Sequence, residues 1–466
     1  MNNLRIFTFL VLLLPWVANA QMDSIHYLTL DELYRHVRQN HPIAQQAILM
    51  NQRGSLTVSQ ARGAFDPKIV SGFDRKTFDG TNYYDLWDTY VKIPTLLNID
   101  LKAGYERNQG TYLNPEHKVP ADGLYYAGIS VPLGQGLIHN ERNINLQKSK
   151  FTQKAFENDA NNVLNNLFLD VNYAYWYWFE SHQKREAVRS NLSLIQERFE
   201  GIKQGTINGE NAPIDSVEML IQVQQWINNL RQAELDLQNS RLLLNNFIWS
   251  DSMDLSSFSP LIEDETQNLA LDSYLDWAII NHPDLKQLSI ESNILDLDRK
   301  LSSEQLKPII DVNYNLLLTD QSELESSFYA NNYKFGVQFA FPLLIRKERS
   351  KLKIIKIKQQ EYDLKINQKT REVINKIQQG YNKVYTLEEM IEQQKDIQVN
   401  YEKMLQAEQV MFENGESSVF LLNSRENKKL LGQIKLIELQ SKYQQSLGEL
   451  KWSTGKLYDE INALNP

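Results

Sequence analysis

Apolar and polar residues alternate along several short segments of the chain. Between positions 333 and 341 every second residue is apolar, and the series is Tyr333, Phe335, Val337, Phe339 and Phe341. Residues 310–318 alternate in the same way, as do residues 99–105 and 125–131 earlier in the chain. A period of two predicts β-strands with one apolar face. Aromatic residues on that face are typical of lipid-facing barrel strands, although a half-buried strand of a soluble sheet fits the same pattern.

Two long stretches without proline follow these segments. They run from Leu133 to Ala212 and from Leu343 to Asn465, and both are rich in Leu, Ile, Gln, Lys, Glu and Asn. This composition favours long helices with polar faces. The segment from Ile144 to Gln204 would form a helix about 90 Å long. A helix of that length predicts coiled-coil or barrel-stave packing, because it does not fit inside an ordinary globular domain.

The chain also repeats its own order of motifs. Asn40-His41-Pro42 returns as Asn281-His282-Pro283, and Val131-Pro132-Leu133 returns as Phe341-Pro342-Leu343 before the second long helix. Gly209 and Gly415 mark the breaks in the two helical stretches. A duplicated unit of helix, strands, long helix, tip and returning helix accounts for this order.

The repeats predict a division of the chain into four segments. We expect a signal peptide at 1–20, a first repeat at 21–249, a connector at 250–268 that is rich in Ser, Asp and Glu, and a second repeat at 269–466. The signal is indicated by Arg5, the apolar run from Ile6 to Leu14 and the small residues Ala18 and Ala20. That run is too short for a bilayer span of about 20 residues, so the mature chain is expected to begin near Gln21.

The number of predicted strands bears on assembly. Two hairpins give about four strands per chain, whereas a membrane barrel needs at least about eight. Since open sheet edges are not tolerated in lipid, a membrane location requires several copies to share one barrel. The first strand segment is longer than the second, and Trp87, Thr89, Val91 and Ile93 continue its alternation. We expect this extra segment to enlarge an extracellular loop or to add a hairpin.

Composition narrows the chemistry that the chain can perform. The sequence has no cysteine, which excludes disulfides, thiolate metal sites, a thiol nucleophile and a lipid-modified cysteine anchor. The net charge of −9 does not indicate nucleic-acid binding. No phosphate loop, Ser-His-Asp order or metal-binding motif stands out, so neither enzymatic activity nor a cofactor is predicted.

Two groups of residues have both a functional and a structural interpretation. His36 and His41 are close together, but His41 and His282 occupy equivalent positions before proline, which favours a structural role over a metal site. Aromatic residues crowd positions 173–179 and suggest a ligand-stacking surface, a membrane belt or helix packing. Packing is the simplest interpretation, since consecutive positions circle a helix and leave no single aromatic face.

In this order, the motifs resemble those of the TolC outer-membrane efflux family. The duplicated halves, the Asn-x-Pro element of each first helix, Pro-Leu after each second strand and the glycine-marked tips all match, over nearly the whole mature chain. The most specific match is the segment 412–423, which resembles the second periplasmic tip of that family.

The resemblance implies a mainly α protein with a β component, assembled as a homotrimer. Each protomer would give four strands to a twelve-stranded β-barrel in outer-membrane lipid, and the long helices would form a hollow α-barrel across the periplasm. The far end would dock a periplasmic adaptor that connects to an inner-membrane transporter of the RND or ABC type. The implied function is a passive, non-enzymatic duct of a tripartite efflux or type I secretion system.

The resemblance also suggests site residues at the tips. The candidates for adaptor docking are Gly209, Asp215, Gly415, Glu416, Ser417 and Ser418. The family carries an acidic residue six positions after the tip glycine, and in the second repeat another nine positions after it. Asp215 and Glu218 stand at these spacings in the first tip, but Leu421 and Ser424 occupy them in the second.

The second tip therefore lacks the family's acidic constriction at its expected place. Asp215, Glu218, Glu413 and Glu416 are candidates for a substitute negative collar, which would favour cations in a pore. The alternative is that these are solvated charges at helix ends.

A different class of function also remains open. A soluble periplasmic coiled-coil adaptor with a small β domain would share the long helices, but it has no need for two matching pairs of strands with an apolar face. An exported hydrolase is a more distant alternative, since the sequence shows no convergent catalytic residues.

Overall fold

The architecture is that of a computed structural model, which describes residues 26–250, 253–262, 270–318 and 332–463. The predicted signal peptide lies outside these residues, as do residues 251–252 and 263–268 of the predicted connector. Within them, no helix contains an apolar stretch sufficient to span a bilayer.

The helices follow the same order in both halves of the chain. Two short helices precede the strands of each half, and a hairpin of long helices follows them. The first half contains α1 (Leu30–Asn40), α2 (Pro42–Arg62), α3 (Glu141–Asn208) and α4 (Pro213–Asn245). The second half contains α5 (Leu271–Asn281), α6 (Pro283–Glu304), α7 (Arg346–Glu413) and α8 (Val419–Ser453), and α9 (Lys456–Ala463) ends the described chain.

The longest helices of the two halves have the same length. α3 and α7 each contain 68 residues, which corresponds to about 100 Å. The prediction of long helices is confirmed, and the expected segment from Ile144 to Gln204 lies within α3, three and four residues from its ends. Both end beside a glycine with positive φ, at Gly209 (84°) and Gly415 (73°), a conformation that side chains with a Cβ disfavour.

The two histidines before proline have matching structural roles. Nδ1 of His41 accepts the backbone N–H of Ile43 at the start of α2, and Nδ1 of His282 accepts that of Asp284 at the start of α6. Burial lowers the pKa of both imidazoles, which favours the neutral ring that such acceptance requires. The structural interpretation of these residues is confirmed.

The strands in the described part of the chain form two sheets. A small one pairs β1 (His26–Leu28) in parallel with β6 (Phe258–Pro260), which lies within the predicted connector. The large sheet is antiparallel, with the order β2-β3-β4-β5-β7-β8. Its members are β2 (Lys68–Phe78), β3 (Thr81–Pro94), β4 (Asp100–Gln109), β5 (Leu124–Pro132), β7 (Ile309–Leu318) and β8 (Tyr333–Ala340).

The expectation of four strands per chain is wrong, because the large sheet has six. The extra residues of the first half form the hairpin β2–β3, which pairs with β4 along the length of that strand. Its turn contains Asp79 and Gly80 with φ of 51° and 70°. This is the geometry of the tight hairpin turns that Asp-Gly sequences favour.

The helices pack in two rows that share α3 and α7. Near the sheet the contacts give the order α2-α3-α6-α7, and away from it they give α4-α3-α8-α7. Close approach of α3 and α8 depends on Gly448, since a Cβ there would lie 2.4 Å from Nδ2 of Asn172. Each row is a single layer of staves, so both of its outer edges remain open within one chain.

A compact core lies where the two rows meet. The aromatic run of α3 supplies its largest side chains, and Tyr175, Trp178 and Phe179 are buried there against β1, α1 and α9. The Tyr175 hydroxyl lies 2.8 Å from the carbonyl oxygen of Leu28. Tyr173 and Tyr177 of the same run remain partly exposed. The prediction that this run serves packing is confirmed.

Candidate functional site at the helix tips and the sheet faces

The first tip is the turn between α3 and α4. Gly209 ends α3, and the backbone N–H of Glu210 donates to the carbonyl oxygen of Gly205 at 2.8 Å. Pro213 occupies the first turn of α4, where its missing N–H is not needed. Asp215 follows in the same turn and is half-buried, as is Glu218, whereas Gly209 is exposed.

The second tip is the turn between α7 and α8. The N–H of Gly415 donates to the carbonyl oxygen of Phe412, and that of Glu416 donates to Met411. The hydroxyl of Ser418 caps α8 by accepting the N–H of Leu421 at 3.3 Å. Glu413, Gly415, Glu416 and Ser418 are exposed.

A buried carboxylate braces the second tip from inside. Glu408 is 7% exposed, accepts the Ser417 hydroxyl and pairs with Nε of Arg425 at 3.1 Å. Hydrogen bonds from Ser417 and Arg425 hold the pKa of Glu408 below its usual range. These contacts connect the last turns of α7 to the tip loop and to α8.

The two tips lie beside each other. The amide nitrogen of Asn423 on α8 is 2.9 Å from the sulfur of Met219 on α4. Val419 and Met219 are buried in one apolar cluster with residues of α3. Arg198 on α3 also forms an ion pair with Glu426 on α8. Residues of both predicted tips therefore belong to one end of the molecule.

Helix electrostatics separate the four collar candidates. Asp215 lies in the first turn of α4, where the helix dipole stabilises a negative charge, whereas Glu218 lies in the second turn, where this effect is weaker. Glu413 is the last residue of α7, where the same dipole opposes it. None of these four carboxylates forms an ion pair with another described residue. The local structure therefore explains a carboxylate at position 215 but not at position 413.

Apolar side chains surround the exposed turns. At the first tip Ile207 and Ile214 are 70% and 72% exposed, and at the second Phe420 is 62% exposed. Large exposed apolar side chains next to glycines and serines form a surface that suits contact with another protein. Phe420 belongs to the segment 412–423 noted in the sequence, whereas Ile207 and Ile214 were not predicted, because isolated apolar positions near a helix end carry no periodic signal.

The large sheet has two faces of opposite character, as the register of its strands shows. One row of registered partners is apolar on all six strands and consists of Ile69, Val91, Ala103, Ala127, Leu316 and Tyr333. The next row projects to the other face and consists of Lys68, Lys92, Lys102, Gly128, Asn315 and Lys334. Successive residues of a strand alternate between faces, so this contrast repeats along the sheet.

The apolar face is exposed within one chain. On the two edge strands, Ile69 is 78% exposed and Phe339 is 66% exposed. Further exposed members of this face are Phe73, Trp87, Ile93, Leu101, Tyr125, Ile129, Tyr314, Phe335 and Val337. A contiguous exposed apolar surface of this extent indicates contact with lipid or with another protein.

No group of three or more acidic or histidine side chains that would suit a metal ion occurs among the described residues. We therefore find no candidate metal centre in the part of the chain that the structure describes.

Comparisons with known proteins agree with these features. The sequence model of the family described as "Outer membrane efflux protein" matches residues 275–456. No curated protein matches the sequence.

Several solved structures share the fold at low sequence identity. The outer-membrane channel OprN is 12% identical, with 92% of this chain and 90% of that chain covered at a TM-score of 0.66. CmeC of Campylobacter jejuni, an outer-membrane channel, is 10% identical over 92% and 86% of the two chains, also at 0.66. The outer-membrane protein VceC of Vibrio cholerae is 13% identical over 91% and 96%, at 0.65.

The family match confirms the resemblance predicted from the sequence motifs, and it agrees with the predicted location at the outer membrane. It covers the second half of the chain, from α5 to α8, whereas the likeness of fold extends over both halves. Residues 275–456 of this chain are therefore similar to the outer membrane efflux protein family, and the chain as a whole has the fold of TolC-like outer-membrane channels.

Proposed function

We propose that three copies of this chain form a passive duct that leads from the periplasm through the outer membrane. The large sheets would pool into one β-barrel in the membrane, and the helices would form one hollow α-barrel below it. The chain has no enzymatic role in this proposal.

The observation that carries the proposal is the contrast between the two faces of the large sheet. Its apolar face is exposed and aromatic, as lipid contact requires, whereas the other face carries lysines, carboxylates and amides, as a water-filled interior requires. Among the described residues of one chain, both edges of this sheet are unpaired, which lipid does not tolerate, so copies would close the wall together.

The helical rows support the same assembly. α2 and α7 form the outer edges of the row near the sheet, and both carry exposed apolar residues. Ile354, Ile357 and Leu364 lie within one side of α7, while Leu49 and Leu56 lie on one side of α2. Packing α7 of one copy against α2 of the next would bury both stripes.

The tips are proposed to dock a periplasmic adaptor, which would connect the duct to an inner-membrane transporter of the RND or ABC type. Gly209, Gly415, Ser417 and Ser418 let a partner approach the backbone closely. Ile207, Ile214 and Phe420 would supply apolar contacts beside them, with Asp215 and Glu416 at the rim.

A negative collar at the tips is a further part of the proposal. Asp215, Glu218, Glu413 and Glu416 lie at one end of the molecule, and three copies would multiply this charge around one opening. Glu413 is the strongest candidate, because the dipole of its own helix disfavours it there.

The proposal is tested by the native mass of protein extracted from the membrane fraction with detergent, after the detergent mass is subtracted, together with solute release from liposomes that contain it. A mass of three chains and release of a small hydrophilic dye are expected. A monomer found in the soluble fraction would overturn the duct and favour the periplasmic coiled-coil adaptor.

A further inference from the structure

We propose that all six strands of each copy, including the hairpin β2–β3, belong to the wall of the shared barrel, and that β8 of one copy pairs with β2 of the next. A trimer closed in this way has eighteen strands (3 × 6). The inference rests on the proposed shared barrel and adds which edges meet. It departs from the twelve strands that the family resemblance implies.

The hairpin lies at the same height as the other strands. Lys92 of β3 is registered with Lys102 of β4, and Lys68 of β2 with Lys92, so the rows that cross the sheet extend onto the hairpin without a break. A hairpin that only enlarged an extracellular loop would instead pair beyond the end of β4.

The hairpin also continues both faces of the wall. Ile69, Phe73 and Trp87 are exposed on the apolar face, in rows with the residues of β4 that face the same way. Asp74 and Asp88 lie on the polar face. A segment outside the membrane has no reason to keep an aromatic face on one side and carboxylates on the other.

Specific side-chain contacts hold β3 against the edge of β4. The hydroxyl of Tyr126 on β5 donates to Oδ1 of Asp88 on β3 at 2.8 Å, so the ring crosses the strand between them. That strand carries Gly104, where a Cβ would lie 2.7 Å from the Tyr126 ring and 2.5 Å from Cβ of Tyr90. Lys92 and Asp100 form a second link between β3 and β4, at 2.7 Å.

With β3 seated on β4, the free edges of the described sheet are β2 and β8. Successive strands of an antiparallel sheet alternate in direction, so β2 and β8, first and sixth in order, run in opposite directions. Pairing of β8 of one copy with β2 of the next would therefore continue the antiparallel pattern and give an even number of strands. β2 has 11 residues, close to the length of about 9–11 that a membrane strand needs.

A closed wall of eighteen strands has a direct geometric consequence. Because barrel diameter rises about linearly with strand number, it would be about 1.5 times as wide as one of twelve strands.

The absence of native cysteine makes disulfide trapping a clean test. Val337→Cys on β8 is combined in turn with Ile69→Cys, Ser71→Cys and Phe73→Cys, which face the same side of the sheet on β2. The matched controls combine it with Val70→Cys, Gly72→Cys and Asp74→Cys, the neighbouring positions on the opposite face. Membranes are treated with copper-phenanthroline and analysed on a non-reducing gel.

Two further pairs complete the design. Val337→Cys with Val312→Cys joins registered partners of β7 and β8 within one chain and shows that the oxidant reaches this face. Val337→Cys with Ala103→Cys reports the rival wall, in which β8 pairs with β4 of the next copy and the hairpin lies elsewhere.

Covalent dimers and trimers are expected for at least one of the three same-face pairs, and for none of the opposite-face pairs. Linkage to Ala103→Cys between copies would overturn the inference and leave the shared barrel intact. The inference also fails if no β2 position links while the intrachain pair forms. A monomeric native mass would instead overturn the proposed function itself.

Discussion

The hydroxyl of Tyr126 and the carboxylate of Asp88 meet at 2.8 Å across the backbone of Gly104. Three strands are thereby fixed to one another on the polar face of the sheet, and the added hairpin is held at its inner edge. The glycine between them is the condition for this contact, since any side chain there would occupy the path of the tyrosine ring.

We therefore expect Gly104→Val to lower the stability of the sheet by about 1–3 kcal/mol, as overpacking of a filled site does. The measurement is the temperature at which the extracted protein unfolds in detergent. Gly336→Val is the matched control. Gly336 lies on β8, on the same polar face of the sheet as Gly104, but it has open space around it. Equal unfolding temperatures for the two variants would show that the ring does not need this gap.

A second prediction concerns the tip glycine. Gly415 has φ of 73° and nothing near its hypothetical Cβ, so a larger residue meets backbone strain of about 1–2 kcal/mol and no clash. Gly415→Trp is expected to abolish export by blocking the docking surface, while the trimer still assembles. Gly415→Asn is the control, since asparagine tolerates this conformation and is small.

Both variants are compared by native mass and by export in cells that depend on this protein. Normal export by a stable Gly415→Trp trimer would remove this tip from the docking surface.

A third prediction concerns the open edge of α7. Leu364 is 70% exposed, and the proposed assembly buries it against α2 of the next copy. Leu364→Asp should therefore reduce the trimer fraction at least tenfold, because it places a charge in an apolar contact. The secondary structure should be unchanged, since this side chain has little contact within its own chain.

Leu364→Met keeps the apolar contact and should assemble normally. The comparison is made from native mass and circular dichroism of the extracted proteins. An intact Leu364→Asp trimer would place the interface on another side of α7.

A fourth prediction follows from the lowered pKa of Glu408. A carboxyl group whose pKa is lower in the folded tip than in the unfolded chain stabilises the tip above its ordinary pKa. This stabilisation is lost as the pH falls through the folded value. Between about pH 5 and pH 2, the exchange of backbone amide hydrogens around Gly415 should accelerate as the brace with Ser417 and Arg425 is lost.

Glu408→Gln should remove most of this pH dependence and give faster exchange already at neutral pH. Glu402→Gln is the control, because Glu402 pairs with Lys429 on the same two helices in a more exposed position. The same pH profile in Glu408→Gln and in the unaltered protein would assign the effect to another group.

The sequence predicted the parts of the fold that depend on local pattern. Period-two alternation identified β4, β5, β7 and β8, and the lack of proline identified α3 and α7. The hairpin β2–β3 was left open, although Asp79-Gly80 between two alternating segments is a hairpin signal that the sequence carries. The number of strands was underestimated because each half was expected to supply one pair of strands, whereas the first half supplies four strands of the large sheet.

The contacts that define the tip and the sheet were beyond sequence reasoning. Glu408 and Arg425 lie 17 positions apart, and Tyr126 and Asp88 lie 38 apart, so only the folded turn and the strand register bring them together. In a chain rich in polar helices, such residues look the same as solvated charges.

The core at the meeting of the helical rows has a consequence for how the chain folds. Leu28 near its beginning, Trp178 in its middle and Leu457 near its end are buried together. Contacts between such distant positions close slowly, because a large loss of chain entropy precedes them. Folding cannot be completed until almost the whole polypeptide has crossed the inner membrane. Until then the apolar side chains of this core are exposed, which favours aggregation of the incomplete chain.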